Sequence, residues 1–202
     1  MIIFLYGPDD YRREAKKREI LAEFQKKRSD LGIGRFDLAG TRLRSGTELR
    51  RGEGSFDEFK EFLASQSLFQ SAKLVMLDNA FELEAKVLKK ILLEVLENKN
   101  ITVLMSEKDK PVKALDFLLK EPAVNQKFEH LEGKEWENFI LKEAKRLSVK
   151  LTAGALRFLA GVYQNNSWGL VTELEKLAGL DRELVDVRDL EELGVEQAPV
   201  FW

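Results

Sequence analysis

The chain has 202 residues, 44% of them hydrophobic and 34% charged, with a formal net charge of −2. This is enough apolar chain for one large core or two modest ones, and the near-neutral balance excludes a surface that grips nucleic acid all over, while leaving room for a local basic patch. Cysteine is absent and His130 is the only histidine, which excludes disulfides, thiolate nucleophiles and cysteine-bound zinc, and argues against a histidine-built metal site.

The first element is a short apolar run, Ile2–Tyr6, read as a buried strand, with Gly7-Pro8 as the turn that follows. A helix is predicted next, with Tyr11, Ala15, Leu21 and Phe24 at helical spacing. A phosphate-binding loop at this place would supply further glycines and then a lysine. The sequence runs instead Gly7-Pro8-Asp9-Asp10-Tyr11-Arg12-Arg13, with no lysine before Lys16. Asp9 and Asp10 fall where a helix offers free N–H groups and positive dipole charge. A phosphate needs the same donors and is repelled by both carboxylates. No nucleotide cofactor and no metal are therefore expected.

Four more strands are predicted at Ile33–Leu38, Lys73–Leu77, Ile101–Met105 and Lys127–Leu131. Helical stripes lie between them: Phe56, Phe59, Phe62 and Leu63; then Leu88, Ile91, Leu92 and Val95; then a short one from Leu115, Leu118 and Leu119. Leu74-Val75-Met76-Leu77 is apolar without alternation, as in a strand covered on both faces. Alternating strand and helix implies an α/β fold with a parallel five-stranded sheet. His130 reads as a partly exposed residue near the end of the last strand.

The segment Gly40–Gly54 fits neither period. It combines four glycines with Arg42, Arg44, Arg50 and Arg51. One reading is a solvated connecting loop; the other is an arm making phosphate contacts.

After Gly133 the strand signals stop. Trp136, Phe139, Ile140, Ala144 and Leu147 form one helical stripe, Leu156, Leu159 and Tyr163 a second, and Leu170, Leu174 and Leu177 a third. Thr152 and Ser167 are the expected N-caps of the last two, and Val185–Leu193 a weaker fourth helix. The expected division is an α/β domain at 1–132, a helical lid domain at 133–197, and the start of a further domain at 198–202. The chain shows no signal-peptide pattern, and no run approaches the ~18 apolar residues of a membrane span, so a cytoplasmic location is expected.

An α/β domain followed by a helical lid, opening on a strand and turn shaped like a phosphate loop, resembles the plan of the AAA+ proteins. Three stretches narrow the resemblance. Phe4-Leu5-Tyr6-Gly7-Pro8-Asp9-Asp10-Tyr11 resembles the start of the delta subunit of the bacterial DNA polymerase III clamp loader. Ser67-Leu68-Phe69-Gln70-Ser71-Ala72-Lys73-Leu74-Val75-Met76-Leu77 is similar to that family's Ser-Leu-Phe turn and central strand. Thr172-Glu173-Leu174-Glu175-Lys176-Leu177 is similar to its lid helix, with threonine where asparagine is usual.

The resemblance implies a non-catalytic subunit acting in DNA replication. Its partners would be the sliding clamp (beta subunit), other clamp-loader subunits through a third, collar domain, and primer-template DNA within the full complex. It implies that Leu68 and Phe69, flanked by Gln66, Ser67 and Gln70, form a hydrophobic plug that enters the clamp and helps open it. Asp78 and Ser106 match the places of a magnesium-binding aspartate and a phosphate-sensing residue. Asn79 stands where a catalytic glutamate would be, and an amide cannot act as a general base. Asp78 and Ser106 therefore read as relics of the fold, and Glu173, Glu175 and Lys176 as makers of local ion pairs. The ending Pro199-Val200-Phe201-Trp202 falls about where the collar domain would begin, and a truncated chain is expected. The alternatives are a degenerate AAA+ ATPase that still binds nucleotide, and a DNA-binding module using the arginine-rich segment.

Overall fold

The computed structural model describes residues 1–27, 32–39, 53–65, 72–180 and 182–195. Two compact units are present. One comprises Met1–Pro8 and Arg12–Phe128; the other joins Asp9–Tyr11 to the chain from Glu129 onward.

The first unit is built on five parallel strands: β1 (Ile2–Tyr6), β2 (Ile33–Asp37), β3 (Lys73–Asp78), β4 (Ile101–Glu107) and β5 (Val124–Lys127), in the order β2-β3-β4-β1-β5. Helix α1 (Asp10–Lys27) follows β1, α2 (Glu53–Ala64) precedes β3, and α3 (Ala85–Glu97) links β3 to β4. Successive side chains of a strand point to opposite faces. Ile2, Phe4 and Tyr6 of β1, Val75 and Leu77 of β3, and Val103 and Met105 of β4 share one core with Phe56 and Phe59 of α2 and Leu88, Leu92 and Val95 of α3. The intervening Leu5, Leu74, Met76 and Leu104 form the other core, against Ile20, Leu21 and Phe24 of α1. Helices thus cover both faces, which is why β3 is an unbroken apolar run.

Two sequence expectations need correction. The last strand is Val124–Lys127, not Lys127–Leu131. Its four side chains are all exposed, so it carries no hydrophobic signal. The conspicuous apolar residue, Phe128, is buried just beyond it. The short stripe of Leu115 and Leu118 is a 3-10 segment, Lys113–Leu119, rather than an α-helix.

The second unit contains α4 (Gly133–Arg146), α5 (Ala153–Val162), α6 (Ser167–Ala178) and α7 (Val187–Glu192). They share a core of Trp136, Ile140, Ala144, Leu159, Leu170, Leu174, Leu177 and Leu190. Thr152 caps α5 as expected, its Oγ1 accepting from the Ala155 N–H at 3.1 Å. The cap of α6 is Asn166 instead of Ser167: Asn166 Oδ1 accepts from the Gly169 N–H at 2.8 Å. The Ser167 hydroxyl donates to Asp9 Oδ2 at 2.9 Å. Val185 does not open the last helix. It forms a parallel bridge with Leu151, and α7 begins behind Asp186, whose N–H is accepted by Asp189 Oδ2 at 2.8 Å. The second unit also buries carboxylates. Glu143 accepts from the Tyr11 hydroxyl at 3.1 Å and Arg146 Nε at 2.7 Å. Glu173 accepts from the Tyr163 hydroxyl at 3.0 Å and Lys176 Nζ at 2.9 Å. The expected local ion pair of Glu173 and Lys176 is present, and its carboxylate is buried.

Candidate functional site

In an open parallel sheet the carboxyl ends of the strands are the natural place for a site. Strand register sets what meets there. Asp37 lies beside Asp78, Asp78 beside Ser106, and Ser106 beside Leu5, while Glu107 lies beside Tyr6. Asp78 and Ser106, far apart in sequence, are therefore neighbours.

Two basic residues of α1, four apart and so on one helix face, close over this row. Lys17 Nζ donates to Asp78 Oδ1 at 2.5 Å and to Glu14 Oε1 at 2.9 Å. Arg13 Nη1 donates to Ser106 Oγ at 2.8 Å. Both side chains are buried. Burial works to lower the Lys17 pKa, but the hydrogen bonds and charges of Asp78 and Glu14 outweigh it and raise it above the ordinary lysine value.

Glu107 completes the group. Its Oε1 accepts from the Ala80 N–H at 2.6 Å, tying the end of β4 to the 3-10 turn Ala80–Glu82 after β3. Burial pushes this carboxyl up to about 7, against the opposing pull of the Ala80 and Phe81 N–H groups, with Asp78 adding to the rise and Arg13 resisting it. Asn79 sits in the left-handed region at φ 54, and its Nδ2 donates to Asp37 Oδ1 at 2.7 Å. That bond, with the Ala39 N–H, holds the Asp37 carboxyl below its usual range. Beside these groups lies an open, mostly polar cavity of about 410 Å³ lined by Arg13, Asn79, Phe81, Ser106 and Glu107 among others.

The first turn is closely packed. Gly7 has φ +125, and a Cβ there would stand 2.3 Å from the Phe128 carbonyl oxygen. Asp10 heads α1 and its Oδ1 accepts from the Tyr11 N–H at 3.0 Å. Asp9, buried, belongs with the second unit through Ser167. Among the described residues, no group of three or more His, Asp or Glu side chains is placed to hold a metal ion. Nor is any described helix long and apolar enough to cross a membrane.

The other expected site residues lie outside the described residues: Gln66, Ser67, Leu68, Phe69 and Gln70, and Arg42, Arg44, Arg50 and Arg51. Described chain flanks the first group at Ser65 and Ala72. His130 is half-buried three residues past β5. Sequence reasoning missed Arg13, Lys17 and Glu107. Buried bases on an otherwise amphipathic helix were a faint signal for the first two; nothing local marks Glu107.

Five parallel strands in this order, covered by helices on both faces and followed by a helical unit, define an AAA+-like α/β fold. Among solved structures, the chain is similar to the Bacillus subtilis DNA clamp loader delta protein at 18% identity and TM-score 0.54, covering 98% of this chain and 58% of that one. It is similar to domain III of the Thermotoga maritima replication initiation protein DnaA at 15% identity and TM-score 0.62, covering 98% of this chain and 85% of that one. The RuvB Holliday junction branch migration motor of Thermotoga maritima matches at 13% identity and TM-score 0.59, over 96% of this chain and 62% of that one. The chain thus spans under two thirds of the length of the clamp loader delta protein and of the branch migration motor. No family model and no curated protein sequence matches it.

Proposed function

We propose that this chain is the clamp-binding part of a clamp-loader delta subunit, non-catalytic itself, that binds and opens a sliding clamp in DNA replication. One observation carries the non-catalytic half. Lys17 of α1 is taken up within the fold by the Asp78 and Glu14 carboxylates, whereas Arg13 gives one N–H to the neutral Ser106 hydroxyl and its Nε has no partner among the described residues. A nucleotide using Lys17 would have to break its two ion pairs, and would meet the Glu107 side chain in the same cavity as Arg13.

The clamp-binding half rests on the motif Ser67-Leu68-Phe69 in the connection between α2 and β3. A leucine and a phenylalanine buried in a partner contribute roughly 1.5–3 kcal/mol each before the costs of association. The action is that of a wedge: tighter binding to the open ring than to the closed one shifts the opening equilibrium, and only that difference can do so. Assembly with other loader subunits through a collar domain, and contact with primer-template DNA, belong to the same proposal. So does a division into an α/β domain at 1–132 and a lid domain at 133–197.

Titration of the chain with a bacterial sliding clamp tests the proposal. Leu68→Ala/Phe69→Ala is expected to weaken binding at least tenfold. Equal affinity of the variant, or no binding by either protein, overturns the reading. Calorimetric titration with Mg-ATP is expected to give no binding heat at millimolar nucleotide, and micromolar affinity would favour an ATPase instead.

A further inference from the structure

Trp168 stands in the first turn of α6, with 43% of its surface exposed. It is the open end of a row of rings that lies wholly in the second unit. The Trp168 ring meets the Tyr11 ring edge-on at 5.1 Å between centroids, Tyr11 meets Phe139 edge-on at 6.0 Å, and Phe139 stacks on Trp136 at 5.5 Å. Such contacts are favourable between aromatic rings beyond the area they bury. Tyr11 and Trp136 are buried, and their polar atoms are used inside the unit. The Tyr11 hydroxyl donates to Glu143 Oε2, and Trp136 Nε1 donates to the Ala160 carbonyl at 3.0 Å. The exposed indole is thus buttressed by rings that are themselves fixed.

Helix α4 supplies charge beside this row. Phe139, Lys142, Glu143 and Arg146 recur at helical spacing and so share one face. Glu143 is buried and bound, accepting from Tyr11 and from Arg146 Nε, whose side chain is half exposed. Lys142 and Lys145 are exposed and pair with no described carboxylate. From Phe139 to Arg146 the helix therefore exposes three cations and no acid. The exposed acid next to Tyr11 in the chain is Asp10, whose Oδ1 accepts from the Tyr11 N–H.

A tryptophan that anchors a protein partner sits in a patch depleted of charge. Trp168 has three cations for neighbours instead. An exposed ring beside basic side chains is the make-up of a single-strand site, where unpaired bases stack on the ring and phosphates meet the cations. A duplex keeps its bases stacked on one another and offers none to an indole. We infer that this face of α4 and α6 is a site for single-stranded DNA, in which Trp168 stacks on a base and Lys142, Lys145 and Arg146 meet phosphates. The inference rests on the proposed function for the source of the strand, the unpaired part of a primer-template.

The experiment is fluorescence anisotropy of a labelled oligothymidine with the full chain, across a salt series, with a thermal melt of each variant. Three phosphate contacts on a single strand correspond to a log–log salt slope of about −2. Trp168→Ala is expected to weaken binding about tenfold without changing the slope, and Trp168→Phe to recover part of the loss. Lys142→Gln/Lys145→Gln should weaken binding and flatten the slope by about 1.4. A merely structural tryptophan would lower the melting temperature and leave the DNA affinity of the folded protein unchanged. No binding by the wild-type chain at low salt, or a folded Trp168→Ala that binds as tightly as wild type, overturns the inference. If Trp168→Ala does not fold, Lys142→Gln/Lys145→Gln decides, and an unchanged slope there overturns it. Trp168→Ala is expected to bind a sliding clamp like wild type. Loss of clamp affinity with DNA affinity intact would make this face a protein-docking surface and overturn the DNA assignment. DNA binding with the expected slopes, but no clamp binding by the wild-type chain, upholds this site and overturns the proposed function alone.

Discussion

Lys17 Nζ lies 2.5 Å from Asp78 Oδ1, so a lysine from the first helix neutralises the aspartate at the end of β3. The lysine side chain is 7% exposed and the aspartate side chain 43%. Solvent at the aspartate screens the pair, so its net worth is well below that of a dry ion pair.

Lys17→Met is therefore expected to cost about 1–2 kcal/mol in urea unfolding, and a double-mutant cycle with Asp78→Asn to show a coupling of about 1 kcal/mol. Because the folded state raises the Lys17 pKa, this stability is fully present below pH 10.5, the unfolded value, and is lost as pH climbs through the folded one. A coupling that changes between pH 6 and pH 9 would contradict the assignment.

Glu107 gives the opposite sign from an ordinary paired carboxylate. Its pKa rises from 4.5 to about 7 on folding, so the folded state binds the proton more tightly. Stability then falls as pH rises through that window, by up to about 3 kcal/mol from this group. Glu107→Gln retains an oxygen for the Ala80 N–H and cannot ionise. Its melting temperature should exceed that of wild type at pH 8 and approach it at pH 5. Parallel melting curves across this range would show that Glu107 titrates normally.

Gly7→Ala puts a methyl group where the Phe128 carbonyl stands 2.3 Å away, on a backbone at φ +125 that L residues avoid. A loss of about 3 kcal/mol is expected from strain and overlap together. The readout is chemical denaturation, with amide exchange at Phe128 reporting its bond to the Tyr6 carbonyl.

Asn166→Ala and Ser167→Ala separate a helix cap from its neighbour. The first removes the acceptor for the Gly169 N–H and should cost about 1 kcal/mol, with faster exchange at that amide. The second removes the hydroxyl that meets Asp9 and should leave exchange at Gly169 unchanged. Faster exchange at Gly169 in Ser167→Ala would make the serine the cap.

Most elements were legible because their signals are local. The β1 run, the Phe56–Phe59–Phe62 spacing of α2 and the Leu88–Leu92–Val95 stripe of α3 each report one face of one element. So does the turn from Gly7 to Asp10, which lacks a phosphate-binding lysine. Strand β5 was displaced in the reading because an exposed edge strand of polar residues has no hydrophobic period to detect. The cap of α6 was misplaced by one residue because Asn166 and Ser167 have equal chemical claims, and only the backbone direction chooses between them. The polar group at the carboxyl ends of the strands is partly legible, as Asp78 and Ser106, and its pairing with α1 is not.

The sequence alone determined where most strands and helices lie and that the opening turn lacks a phosphate-binding lysine, since these depend on residues within a few positions of each other. Only the tertiary structure decided that Arg13 and Lys17 answer Ser106 and Asp78, and that Glu107 holds the turn at Ala80. Those pairings depend on parallel strand register and on which face of a helix meets the sheet. Both are fixed by packing apolar side chains on two sides at once, a constraint that acts through space and leaves no mark at any one position in the chain.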